Sequence, residues 1–131
     1  DDANLTVGDR LMTMCCPTLL EMGDQVYVMG SGGSSRIRSA VLHGVVYLTD
    51  HGMSPEEVVS APRAHVEFDT LHVESRGRPP GTLEALAVAN PNMKRFDGSN
   101  MFFGGLHIAG AGPHGFEGAG DRRRSGAFGS T

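Results

Sequence analysis

The 131-residue chain has no apolar run long enough to cross a bilayer. Its longest apolar-rich stretch, Val41 to Leu48, falls far short of the ~20 residues a span needs. Cysteine is scarce: Cys15 and Cys16 are the only two, and they are adjacent. Neighbours on a strand point to opposite faces, so a bridge between them would be strained and no disulfide framework is expected. Their presence does not fix a compartment. Charge is also modest. At 20% it lies below the usual ~25%, which excludes a charge-swollen disordered chain. Positive charge is in the minority, with a net of −4, which argues against bulk attraction to nucleic acid or anionic lipid. The opening Asp1-Asp2-Ala3-Asn4 is acidic and polar, unlike a secretory signal, and there is no initial Met. The chain is therefore expected to be processed, trimmed or a piece of something longer.

Glycine is what the chain has in excess. Nineteen glycines and seven prolines together take about a fifth of it, against roughly 12% in ordinary usage. They follow no period of three, so collagen is excluded. No internal repeat is visible. The length suits about one domain with one core.

Residues 1–10 read as a loop or extended lead-in. Thr18–Met22 and Gln25–Met29 are β-rich and flank Gly23-Asp24, so they read as a hairpin. Gly30-Ser31-Gly32-Gly33-Ser34-Ser35 follows. Ile37, Ala40, Val41, Val45 and Leu48 then recur at spacings of three and four, which predicts a helix with one apolar face. Ser34 or Ser35 is the expected N-cap, and Gly52 the C′ residue. Ser54-Pro55-Glu56-Glu57 carries capping-box spacing and predicts a second helix ending before Pro62. Residues 64–68 and 71–75 read as two short strands, Arg76–Gly81 as a loop and Thr82–Ala89 as a helix. Met101-Phe102-Phe103 and Leu106-His107-Ile108 look like strand material, with a bulge or turn at Gly104-Gly105. Gly110–Gly115 reads as a turn, Phe116-Glu117 as the start of a last strand, and Arg122–Thr131 as irregular. The class is mixed α and β with antiparallel pairs.

Few residues offer chemistry. The glycine-rich stretch before the first helix is the sharpest feature. Glycines allow a tight turn, and the helix behind it presents unpaired N–H groups suited to an anion or a developing oxyanion. The plain alternative is a simple strand-to-helix turn. No Lys-Ser/Thr closes the stretch as in a phosphate loop, and Ser35 stands where a dinucleotide fingerprint needs its third glycine. No nucleophile elbow surrounds Ser31. His43, His51, His65, His72, His107 and His114 show no metal-ligand spacing and read as surface or satisfied interior histidines. Arg122-Arg123-Arg124 reads as a solvated or locally paired cluster, with Asp121 as an exposed partner worth ~0–1 kcal/mol. An oxyanion site without a nucleophile is half of an acyl-transfer apparatus.

Four segments together resemble the C-terminal part of the γ-glutamyltransferase small subunit. Met12-Thr13-Met14-Cys15-Cys16-Pro17-Thr18 is similar to the family's Leu-Ser-Ser-Met-Ser-Pro-Thr. Gly30-Ser31-Gly32-Gly33-Ser34-Ser35-Arg36-Ile37 is similar to Gly-Ser-Pro-Gly-Gly-Ser-Arg-Ile. Asp50-His51-Gly52-Met53 follows, with Ala61-Pro62-Arg63 and His65, and then Leu71-His72-Val73-Glu74 with Gly118-Ala119-Gly120-Asp121-Arg122-Arg123.

The resemblance implies an α+β fold, part of the four-layer αββα sandwich of N-terminal-nucleophile hydrolases. Residues 1–131 would be one incomplete domain. It implies a self-cleaving precursor whose new N-terminal Thr is nucleophile and base. That Thr takes a γ-glutamyl group from glutathione and passes it to water or an amine, with no metal or organic cofactor. Gly33 and Ser34 match the two glycines whose backbone N–H groups form the oxyanion hole, provided Ser34 does not need a positive φ. Thr13 and Met14 match the serine pair that holds the substrate carboxylate. Met14 cannot donate a hydrogen bond, which puts glutamyl specificity in question and opens an acylase on another side chain, of cephalosporin-acylase type. Simple drift or apolar packing at Met14 is the plain alternative.

The family's Thr, and the Asn and Asp that hold the amino-acid end of the substrate, lie upstream of the matching segment. Asp1 and Asp2 do not match that Asp. This chain alone is therefore expected to be inactive. Its expected partners are the large subunit and the N-terminal part of the small subunit, or another copy of the chain, with a small γ-glutamyl substrate and no nucleic acid. A non-catalytic binding or oligomerising module is a further alternative. The residues do not fix a location; the resemblance leans towards the periplasm or secretion.

Overall fold

A computed structural model describes residues 6–10 and 13–130. The lead-in expected at residues 1–5, Asp1 and Asp2 included, and the Met12 that opens the first matching segment lie outside the described residues.

A four-stranded antiparallel sheet in the order β1-β2-β6-β7 forms the body. Its strands are β1 (Thr18–Met22), β2 (Gln25–Gly32), β6 (Gly105–Gly112) and β7 (Gly115–Ala119). A second sheet holds β3 (Ala64–Glu67), β4 (Thr70–Glu74) and β5 (Lys94–Phe96); β3 and β4 are antiparallel, β4 and β5 parallel. The helices are α1 (Arg36–Thr49), α2 (Pro55–Ser60) and α3 (Thr82–Ala89), with short 3-10 turns at Met101–Phe103 and Arg122–Arg124.

Alternation along the strands decides which face is covered. In β2, Tyr27 and Met29 are buried while Val26 and Val28 are exposed. In β6, Leu106 and Ile108 are buried against exposed His107 and Ala109. The buried set packs against Ile37, Val41 and Leu48 of α1 and Val58 and Val59 of α2, forming one core on one face of the sheet. Burial at roughly 1.5–3 kcal/mol per large aliphatic side chain is what seats the two helices there. The helix starts follow local chemistry. Ser54 and Glu57 form the predicted capping box, with Pro55 at the first position.

Several expectations need correction, among them the turn expected over Gly110–Gly115, where β6 runs to Gly112 and β7 starts at Gly115, and the irregular stretch expected from Arg122, which opens with a 3-10 turn. Neither Ser34 nor Ser35 caps α1 through its hydroxyl: Ser35 is the N-cap residue, but its Oγ donates instead to Glu67 Oε1 at 2.6 Å. Strand β2 continues past Met29 to Gly32, because Gly30, Ser31 and Gly32 pair with His107, Leu106 and Gly105. Met101–Phe103 is a 3-10 turn rather than a strand. The Asn100 side chain accepts the Phe102 N–H at 2.9 Å and closes the turn. Finally, Asp121 and Arg123 are not a surface pair. Asp121 is fully buried, and the Arg123 side chain is 2% exposed.

Candidate active site

The turn between β2 and α1 is built from two left-handed residues in sequence. Gly33 has φ +129° and Ser34 has φ +57°. The chain then enters α1 through Arg36 N–H donating to the Gly33 carbonyl at 3.2 Å and Ile37 N–H donating to the Ser34 carbonyl at 3.1 Å. The Gly33 and Ser34 N–H groups donate to no other described residue. Gly33 is half-buried and Ser34 exposed, so both donors sit at a helix N-terminus within reach of a ligand. Ser34 adopts the positive φ that a serine disfavours. A serine held there costs about 1–2 kcal/mol in backbone strain, but its N–H remains.

Behind the turn, two backbones nearly touch. A Cβ added at Gly33 would stand 2.8 Å from Gly104 Cα, and one at Gly104 would overlap the Gly32 carbonyl oxygen. Only glycine fits at either position.

Arg36 ties the turn to its surroundings. Its Nε donates to the Phe102 carbonyl at 3.1 Å, its guanidinium lies 4.6 Å over the Phe102 ring, and its Nη1 lies 3.6 Å from Glu67 Oε2. Phe102 in turn contacts His72, Phe96 and Phe103. The Ser35 hydrogen bond is the first cause that lowers the pKa of Glu67, with Arg36 adding to it.

Farther back lies a charge-balanced cluster of two arginines and two carboxylates. Arg63 Nη2 donates to Asp121 Oδ2 at 2.8 Å, and the Arg123 guanidinium donates to both Glu74 and Asp121. Asp121 Oδ2 also accepts the Leu106 N–H at 3.1 Å, and Glu74 Oε1 accepts the Asn100 N–H at 2.8 Å. Desolvation pulls the Arg63 pKa down, with Asp121 opposing it. Burial would do the same to Arg123, but the bonds and charges of Glu74 and Asp121 outweigh it and its pKa rises.

Thr13 and Met14 lie elsewhere, in the exposed segment before β1. No hydrogen bond joins them to Gly33 or Ser34 among the described residues. A groove of about 530 Å³ does not contain the turn either. It runs along the uncovered face of the four-stranded sheet, past Leu19, Val28, Gly30, Ala109 and Phe128. Among the described residues, no group of three or more His, Cys, Asp or Glu could hold a metal ion. No helix among them is long and apolar enough to cross a membrane.

Comparison with known proteins decides the family. The gamma-glutamyltranspeptidase family model matches residues 3–130. The chain belongs to the gamma-glutamyltranspeptidase family. It is 39% identical over 90 residues to the Escherichia coli K12 glutathione hydrolase proenzyme, covering 65% of this chain and 15% of that protein. It is 30% identical over 113 residues to the acylase ACY 1 proenzyme of Pseudomonas sp. SE83, covering 86% of this chain and 20% of that protein. The chain thus spans a fifth or less of these relatives. The Bacillus anthracis transpeptidase CapD superposes with a TM-score of 0.80 at 26% identity, covering 95% of this chain and 75% of the solved one. The α+β fold is therefore that of the gamma-glutamyltranspeptidases, within the N-terminal-nucleophile hydrolases. The family's relatives are made as proenzymes.

Sequence reasoning reached the turn but missed what stands behind it. Gly104, Asn100 and Phe102 are far from Gly33 in sequence, and no local pattern joins them. The pairing of Asp121 with Arg123 was visible; its burial was not, because Arg63 and Glu74 come from distant elements.

Proposed function

We propose that residues 1–131 are the C-terminal segment of a γ-glutamyltransferase or glutathione-hydrolase small subunit. They supply the oxyanion site, while an N-terminal Thr outside this segment supplies nucleophile and base. The observation that carries this reading is the left-handed Gly33–Ser34 turn just before α1, whose two N–H groups bond to no partner among the described residues. The Thr hydroxyl, passing its proton to its own free α-amine, would attack the γ-carbonyl, and the carbonyl oxygen would take up negative charge beside Gly33 and Ser34. Donors placed in advance stabilise that charge without reorganising, and each lowers the barrier by roughly 3–4 kcal/mol. Collapse of the tetrahedral intermediate would break the γ-amide C–N bond and release the protonated amine, leaving a Thr ester that passes the γ-glutamyl group to water or an amine. Thr13, with its hydroxyl, would hold the substrate carboxylate, and Met14 would sit beside it.

The test is complementation. The 131-residue chain alone should not hydrolyse a γ-glutamyl anilide. Joined to a family upstream region carrying the free N-terminal Thr, it should. Turnover by the isolated chain would overturn the assignment of the nucleophile.

A second reading is an acylase for a non-glutamyl side chain. It is favoured by Met14, which offers no hydrogen bond to a carboxylate, and by the similarity to an acylase proenzyme. Rates on γ-glutamyl against glutaryl substrates separate the two. Met14→Ser should raise γ-glutamyl kcat/KM by about tenfold if the missing donor limits binding.

A further inference from the structure

We propose that residues 100–106 form a rigid buttress that sets the position of the oxyanion donors, and that Gly104 is the positioning residue through which it acts. The proposal rests on the oxyanion reading of Gly33 and Ser34.

The segment is fixed at both ends by buried carboxylates. Glu74 Oε1 holds the Asn100 N–H, and Asp121 Oδ2 holds the Leu106 N–H. Between these anchors the chain closes a 3-10 turn. Asn100 Oδ1 accepts from Phe102 N–H, the Asn100 carbonyl from Phe103 N–H, and the Met101 carbonyl from Gly104 N–H. The Phe103 side chain is 1% exposed and wedged against Phe96 and Phe102. Little in this segment can give way.

Gly104 (φ +77°) then presses its bare backbone against the back of the donor turn. A methyl group there would overlap the Gly32 carbonyl oxygen and stand 3.1 Å from Ser31 Oγ. The obstacle is backbone on the far side, not the flexible end of a side chain, so the turn itself would have to move. The exit of the turn is held by the same segment, because Arg36 bonds to the Phe102 carbonyl and lies over its ring. Entrance and exit of the donor pair are thus referenced to one anchored piece of chain. Oxyanion donors must lie within ~2.7–3.1 Å of the developing charge, so a shift of a few tenths of an ångström weakens the transition state while leaving ground-state binding largely alone.

The experiment uses the complete processed enzyme that contains this segment. Gly104→Ala should lower kcat by about tenfold or more while KM stays within about twofold. It should weaken a boronic-acid analogue of the γ-glutamyl group, which mimics the tetrahedral intermediate, by a similar factor. Gly52→Ala is the control: it also places a Cβ on a positive-φ backbone (φ +59°), but with nothing within 4 Å, and should change neither reading. If Gly104→Ala does not yield mature enzyme, Phe102→Leu decides, since it loosens the buttress without adding an atom to the contact. A fall in kcat at constant KM supports the proposal; full kcat overturns it. Gly33→Ala separates the two levels. If it leaves kcat and boronate affinity intact, the oxyanion reading itself falls, and this inference with it. If it lowers both while Gly104→Ala lowers neither, only the buttress is wrong.

Discussion

Ser34 is the residue where local preference and global requirement disagree most openly. Serine avoids the left-handed region, yet the turn holds it at φ +57°. The N–H that matters is on the backbone, so the side chain contributes strain rather than chemistry. Ser34→Gly should therefore raise the stability of the folded enzyme by about 1 kcal/mol, read from the urea midpoint, with kcat kept within about twofold. A destabilised Ser34→Gly would mean that the hydroxyl holds something of its own. His43 makes a second test at this scale. Burial, helped by Arg63 and Arg78, lowers its pKa from 6.5 to about 4, and its Nδ1 finds no partner among the described residues. The unfolded chain binds that proton near pH 6.5 and the folded chain refuses it until about 4. Stability is then whole above pH 6.5 and is lost as pH falls towards 4, on the order of 2–3 kcal/mol. His43→Phe keeps a ring for the stack on Tyr47. Urea midpoints between neutral pH and about pH 4.5 should fall less for this variant than for the wild type. Equal slopes would remove His43 from the acid response.

Among the elements, the two sheets and the last turn meet at the buried arginine–carboxylate cluster. Arg123 Nη1 donates to the Val59 carbonyl and Nη2 to the Ala61 carbonyl, so the 3-10 turn at Arg122–Arg124 clamps the end of α2 to β4 and β6. Taking one cation away leaves Glu74 and Asp121 buried with Arg63 alone. Arg123→Met should cost about 3–5 kcal/mol in thermal or urea unfolding, whereas exposed Arg122→Ala should stay within about 0.5. Equal effects would mean that the cluster is not the clamp. The same cluster marks the limit of legibility. The face of α1 and the capping box at Ser54 were legible because each is written in residues three or four apart, and the hairpin because its β-rich runs flank Gly23-Asp24. Met101-Phe102-Phe103 looked like a strand because its composition is β-rich; only Asn100 and the left-handed Gly104 turn it otherwise. Asp121 and Arg123 looked solvated because their partners, Arg63 and Glu74, are about fifty residues away. The donor turn was legible as a glycine cluster, and its buttress was not, for the same reason of distance.

For the whole molecule, the sheet is finished on one side only. Helices α1 and α2 cover Tyr27, Met29, Leu106 and Ile108, while Leu19, Val28 and Phe116 on strands of the same sheet stay 61%, 51% and 76% exposed. In an αββα sandwich this second face packs on another sheet, at a spacing of about 10 Å. A charge placed there should leave the fold of this chain almost untouched, since the position is already in water, and should instead prevent assembly. Val28→Asp is the sharpest version, because Val28 lies on the inner strand β2 and lines the groove that also holds Leu19 and Ala109. Mixed with the upstream region, the wild-type segment should co-elute with it in size exclusion and gain γ-glutamyl anilide hydrolysis. The Val28→Asp segment should keep its far-UV circular dichroism but neither co-elute nor gain activity. A variant that complements as well as the wild type would show that the remainder of the enzyme docks elsewhere, and that this apolar face has another use.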